Sequence, residues 1–94
     1  MRSPEDLKLA VKQGIYLLDA EVPDWREKID IARLDLADPC RCILGQVIGE
    51  FFAALTALEI TTHEAMAMGF ECEHGEGRCE YDALEDLWLE ELRR

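Results

Sequence analysis

DPCRCILGQVIGEFFAAL, residues 38–55, carries the most regular apolar pattern of the chain. Ile43, Val47, Phe51 and Leu55 recur at helical spacing, and Leu44, Ile48 and Phe52 widen the row. Asp38-Pro39 reads as a helix start, so the spacing predicts one long helix from there to about Leu55. A second stripe on it is small: Cys42, Gly45, Gly49 and Ala53. A glycine inside a helix costs about 1 kcal/mol against alanine. Two on one face point to the close approach of another backbone, with Ala10 and Gly14 as the complement. A ligand groove along the stripe is the alternative.

Upstream, Ser3 can cap a helix, Pro4 fits its first position, and Glu5 and Asp6 face the positive end of its dipole. Leu7, Val11, Ile15 with Leu18, and Val22 continue it, and Pro23 sets its end near Val22. Asp24 with Glu27 has the form of a capping box for a short turn carrying Trp25. In IDIARLDL, residues 29–36, Ala32-Arg33 breaks the apolar alternation, which predicts irregular chain or a short turn. Downstream, Thr61 and Glu64 form a capping box for a short helix to Met68, with Ile60 and Ala65 as a weak staple and Gly69 as the stop. Residues 71–80 form an acidic loop in which Gly75 and Gly77 permit a tight turn. The last helix then places Tyr81, Leu84, Trp88 and Leu92 on one side. The expected fold is all-α: a compact bundle of three main helices plus one or two short ones, in a single domain spanning residues 1–94.

The 21 acids and 10 bases leave a net charge of −11. Phosphate binding requires Lys and Arg to displace condensed counterions, so direct contact with nucleic acid or an anionic membrane is not expected. Solubility explains such a charge most simply, and a basic partner is the functional alternative. The segment MRSPEDLKLAVKQG is charged at every turn and lacks a small-residue cleavage site, so no secretory signal is expected. Residues 42–58 include Gln46 and Glu50 and are too short and polar to span a bilayer. The compartment this implies is a reducing cytoplasm.

Four cysteines stand in two pairs, Cys40-x-Cys42 and Cys72-x6-Cys79, the second enclosing His74. They are open to three states: free thiols, a zinc site or a disulfide, for which Cys72–Cys79 is the locally allowed bridge. Zinc prefers four S/N ligands in a tetrahedron, and Cys40, Cys42, Cys72 and Cys79, or His74 in place of one of them, would supply the set. Against zinc, C-x-C is a rarer spacing than C-x2–4-C. Residues two apart on a helix also diverge by roughly 200°, and Glu71, Glu73, Glu76 and Glu80 would raise the thiol pKa values. Cys40 beside Arg41 in a first helical turn half meets the needs of a reactive thiol, a weak redox signal with no βαβ pattern around it. Cys42 as a small core residue is the simpler reading. No hydrolytic triad, phosphate loop or metalloprotease pattern can be read, so the chain is expected to be non-catalytic.

Asp82, Asp86 and Glu90 fall on one row of the last helix, one turn apart. Like charges at that spacing cost a helix a few tenths of a kcal/mol each. A solvated outer face accounts for them; mimicry of a phosphate backbone toward a basic, nucleic-acid-binding protein is the functional alternative.

Trp25, IDIARLDL (29–36), CRCILGQVIG (40–49), MGF (68–70) and Tyr81-x2-Leu84-x3-Trp88 together resemble a group of small actinobacterial and actinobacteriophage proteins, with the C-x-C-I-L-G-Q run the most specific part. The group has no established activity and brings no catalytic residues with it. Its members usually lack the second cysteine pair, which implies that Cys72 and Cys79 are an addition here and that Leu-Gly-Gln serves packing. The resemblance implies a phage-encoded or actinobacterial accessory protein acting on a host protein. The expected function is therefore protein–protein contact with a host or self partner. A zinc-stabilised module and an acidic mimic at Asp82, Asp86 and Glu90 are the alternatives.

Overall fold

Ser3 starts the longest helix of the computed structural model, which describes residues 3–72 and 78–94, with the backbone alone at Arg78 and Cys79. Its hydroxyl accepts from the Asp6 N–H at 3.2 Å, Pro4 takes the first turn, and α1 runs Pro4–Glu21. The chain then forms α2 (Trp25–Lys28) and a single 3-10 turn (Ile31–Arg33). Next come α3 (Ile43–Ile48), α4 (Phe51–Leu58), α5 (Thr62–Ala67) and α6 (Arg78–Leu92). No strand forms among the described residues, so the all-α expectation holds. Among the described residues there are three short helices, α2, α3 and α5, rather than one or two. Among the described residues, no helix is long and apolar enough to cross a membrane.

The third short helix exists because the long helix expected over residues 38–55 does not form. Asp38 closes a turn instead: its carboxylate accepts from the N–H groups of Cys40 (2.8 Å) and Arg41 (3.2 Å), and its carbonyl from that of Cys42 (2.9 Å). Helix α3 begins only after Cys42 and ends at Gly49, whose φ of +127° L side chains rarely adopt. Glu50 then caps α4, accepting from the Ala53 N–H at 2.9 Å. The apolar row survives the break, since Ile43, Val47, Phe51 and Leu55 are all buried.

The small stripe does not meet Ala10 and Gly14 as expected. A Cβ at Gly45 would strike the Pro39 carbonyl and the Cys40 backbone, whereas one at Gly49 would meet nothing within 4 Å. Gly14 instead lies against the Met68 carbonyl, with Phe70 and Trp88 each 3.1 Å from where its Cβ would stand. Gly69, at φ +78°, stops α5 as expected and brings its backbone onto Ala10 and Val11 of α1. The Thr61–Glu64 capping box forms with both bonds at 3.0 Å. The one expected at Asp24 does not, because Asp24 is not extended and makes no side-chain cap.

The core is centred on two fully buried tryptophans. Trp25 meets Trp88 edge-on at 5.9 Å, and Phe70 stacks on Trp88 at 5.6 Å. Their indole N–H groups are both used, Trp25 toward Asp19 (2.8 Å) and Trp88 toward the Gly69 carbonyl (2.7 Å). Arg26 lies 4.6 Å over the Trp25 ring and donates to the Glu91 carbonyl, tying α2 to the end of α6. Leu18, Ile43, Leu44 and Leu84 are likewise fully buried, each contributing roughly 1.5–3 kcal/mol.

Candidate functional site

The C-x-C-I-L-G-Q run folds into a corner whose parts each have a structural task. Cys42 is the N-cap of α3: its sulfur accepts the Gly45 N–H at 3.2 Å and lies 3.7 Å from the Pro39 carbonyl. Pro39 also receives the Phe51 N–H at 2.8 Å, fastening the start of α4 to the same corner. Gly45 must be glycine for the Pro39–Cys40 backbone to come this close. Gln46 clamps the neighbouring segment, accepting from the Asp30 N–H and donating to the Asp30 and Arg41 carbonyls. The packing role expected for Leu-Gly-Gln therefore extends to a hydrogen-bonded clamp that spacing alone did not show.

This corner separates the first cysteine pair. Helix α3 begins after both residues, so helical divergence is not what keeps them apart. Cys40 is exposed and outside the helix, not in its first turn, whereas Cys42 is 1% exposed. Burial pushes the Cys42 thiol up to about 11, and the Asp38 charge adds to the rise against backbone N–H groups that lower it. A nucleophile needs the thiolate, and this environment favours the neutral thiol. Cys72 is buried beside Tyr81. Among the described residues no three His, Cys, Asp or Glu side chains form a group that could hold a metal. His74 and the Cys79 side chain, on which the zinc set and the Cys72–Cys79 bridge depend, lie outside the described residues.

A groove of about 150 Å³ opens beside the corner. Buried Leu36, Cys42, Phe51 and Phe70 floor it, Tyr81 and Glu71 are half-buried in its lining, and exposed Phe52 and Pro39 stand at its edge. Phe52 is 62% exposed and touches Phe51 edge-on, with ring centroids 5.2 Å apart. Expected in the core, it is turned outward by the new direction the chain takes at Gly49. The Tyr81 hydroxyl is raised above its ordinary pKa by burial first, then by Cys72 and Glu71. A second cavity, about 200 Å³, lies between α1 and α6 with Val11 and Leu87 in its lining.

The acidic row stands largely as expected. Asp82, Asp86 and Glu90 are all exposed on α6, and Glu90 lies 3.8 Å from Arg94. Two acids of that helix have inward tasks instead. Glu80 is fully buried in the first turn, and Glu85 accepts the Leu36 N–H at 3.1 Å. The outer face is thus narrower than the count of carboxylates implied.

Comparison with protein-family models, with curated proteins and with solved structures returns no match.

Proposed function

We propose that this protein works by binding another protein, using the apolar surface around Phe52. The observation that carries this reading is Phe52 itself: a phenylalanine 62% exposed at the edge of a groove floored by core side chains. Scattered surface apolar groups need no explanation, but an aromatic standing beside a preformed apolar depression has the form of an interface anchor and its pocket. The buried neutral thiol of Cys42 favours contact over thiol chemistry at the same corner. A host factor is the partner that the actinobacterial and phage resemblance implies.

A second reading has its own observation. Asp82, Asp86 and Glu90 are exposed together along α6, the arrangement an acidic mimic of a phosphate backbone would need.

A photo-crosslinking amino acid placed at position 52 or at position 86 separates the two. Capture of one dominant host protein from position 52, and not from position 16 (the still more exposed Tyr16 of α1), supports the groove. Capture from position 86 alone, abolished by moderate salt, supports the mimic. If neither position captures more than position 16, both readings fall.

A further inference from the structure

The cleft between α1 and α6 is bounded by two matching helical ridges. Lys8, Val11 and Lys12 stand three and four residues apart on α1, and Leu87, Glu90 and Glu91 repeat that spacing on α6, so each trio shares one face. Buried Val11 and half-buried Leu87 give the cleft an apolar part, and the exposed lysines give it a cationic rim. Arg94, just past the end of α6, meets the acids: its guanidinium lies 3.5 Å from Glu91 and 3.8 Å from Glu90. Neither Lys8 nor Lys12 makes an ion pair among the described residues. Two ammonium groups one turn apart are thus left facing the same cleft.

The lining also decides which anion fits. Lysine ammonium groups take carboxylate and phosphate oxygens alike, as point charges. Glu90 and Glu91 remain in the lining, however, and repel a ligand in proportion to the negative charge it carries. That favours a monoanion over a phosphate group, which carries about −1.5 to −2 at neutral pH. Val11 and Leu87 gain only from a ligand with an apolar tail to cover them. The volume, about 200 Å³, sets the length of that tail. At ~30 Å³ for each water-sized group it holds roughly six or seven non-hydrogen atoms, short of the ~300 Å³ at which drug-sized sites begin.

We infer that the α1–α6 cleft is a binding site for a short aliphatic carboxylate of about four or five carbons. Lys8 and Lys12 take the carboxylate between them, and the tail lies on Val11 and Leu87. The site shares no lining residue with the Phe52 groove, so it stands or falls separately from the protein-contact reading.

The test is titration of the full chain with acetate, valerate, octanoate, 1-pentanol and inorganic phosphate at constant ionic strength, followed by backbone-amide NMR. Valerate is expected to give saturable shifts at Lys8, Val11, Lys12, Leu87 and Glu91. It should bind about tenfold tighter than acetate, through the extra methylenes it buries, while octanoate gains nothing further because its tail outgrows the cleft. Lys8→Gln and Lys12→Gln should each weaken valerate about three- to fivefold, the range for a solvent-exposed charge pair. Both lysines are exposed, so the variants keep the fold. Equal binding of valerate and 1-pentanol, or no effect of either lysine variant, would overturn the inference by leaving the charges without a role. Acetate or phosphate binding as tightly as valerate would overturn it in favour of general attraction to the lysines. Absence of saturable shifts at the cleft would overturn it outright.

Discussion

Helix α1 and the segment from Ile43 to Leu58 begin from the same kind of sequence and end as different structures. Each has an apolar row at helical spacing, and each has a glycine in mid-row, Gly14 in one and Gly49 in the other. Helix α1 runs unbroken for 18 residues, with Gly14 inside it as the place where the Met68–Phe70 corner comes in. The other segment divides at Gly49, which touches nothing but turns the chain through a φ of +127°. One glycine is needed for what lies against it, the other for the angle it takes. Apolar periodicity reports which face is buried and is silent on whether the helix is continuous.

The two glycines can be told apart by substitution. Gly14→Ala drives a methyl group into a backbone carbonyl that cannot rotate away, with Phe70 and Trp88 closing the other sides. The expected loss is about 3 kcal/mol or more, read as a lowered urea midpoint. An alanine tolerated there with the midpoint unchanged would break the comparison outright.

The start of the divided segment is tested by alkali. Burial pushes the Cys42 thiol up to about 11 in the folded chain, from an ordinary value of 9.0. A folded value raised above the unfolded one means that stability is fully present below about pH 9 and is lost as pH rises through about 11. The loss should be on the order of 2 kcal/mol, and Tyr81, also raised, adds to it with the same sign. Urea midpoints across that window should fall for the native chain and fall less for Cys42→Ser, whose hydroxyl can still cap α3. Equal slopes would mean that the thiol is not what holds the corner.

Smaller effects sharpen the contrast. Gly49→Ala has open space around it and suffers only from its backbone angle, so about 1–2 kcal/mol is expected, with helix content by circular dichroism nearly unchanged. A larger loss than that of Gly14→Ala would reverse the assignment of the two roles. Least of all, Glu50→Ala removes the α4 cap and should cost about 0.5–1 kcal/mol. No change at all would mean that α4 is held by its buried face alone.

What could be read from residues alone was what neighbouring residues decide. Ser3-Pro4, the Thr61–Glu64 box and the stop at Gly69 act within one helical turn, and all three appear where expected. The missed features depend on parts of the chain far apart in sequence. Asp38-Pro39 looked like a helix start, yet its carboxylate spends its bonds on a turn that lets Pro39 reach Phe51. Glu80 is an acid among acids until the fold buries it, and Glu85 finds its donor at Leu36, 49 residues away. Phe52 could be assigned a direction only once the turn at Gly49 was known. The groove was therefore not legible beforehand, while the exposed row of Asp82, Asp86 and Glu90 followed from spacing alone.

The paired tryptophans also make this molecule its own optical gauge. The chain has two of them, both fully buried and in edge-on contact, one on α2 and one on α6, with the ring of Phe70 stacked on the second. Emission excited at the indole band therefore comes wholly from the seam where those elements meet. Anything that parts them, whether heat, a substitution at Gly14 or a partner levering at Phe52, will redden that light before any label has been attached.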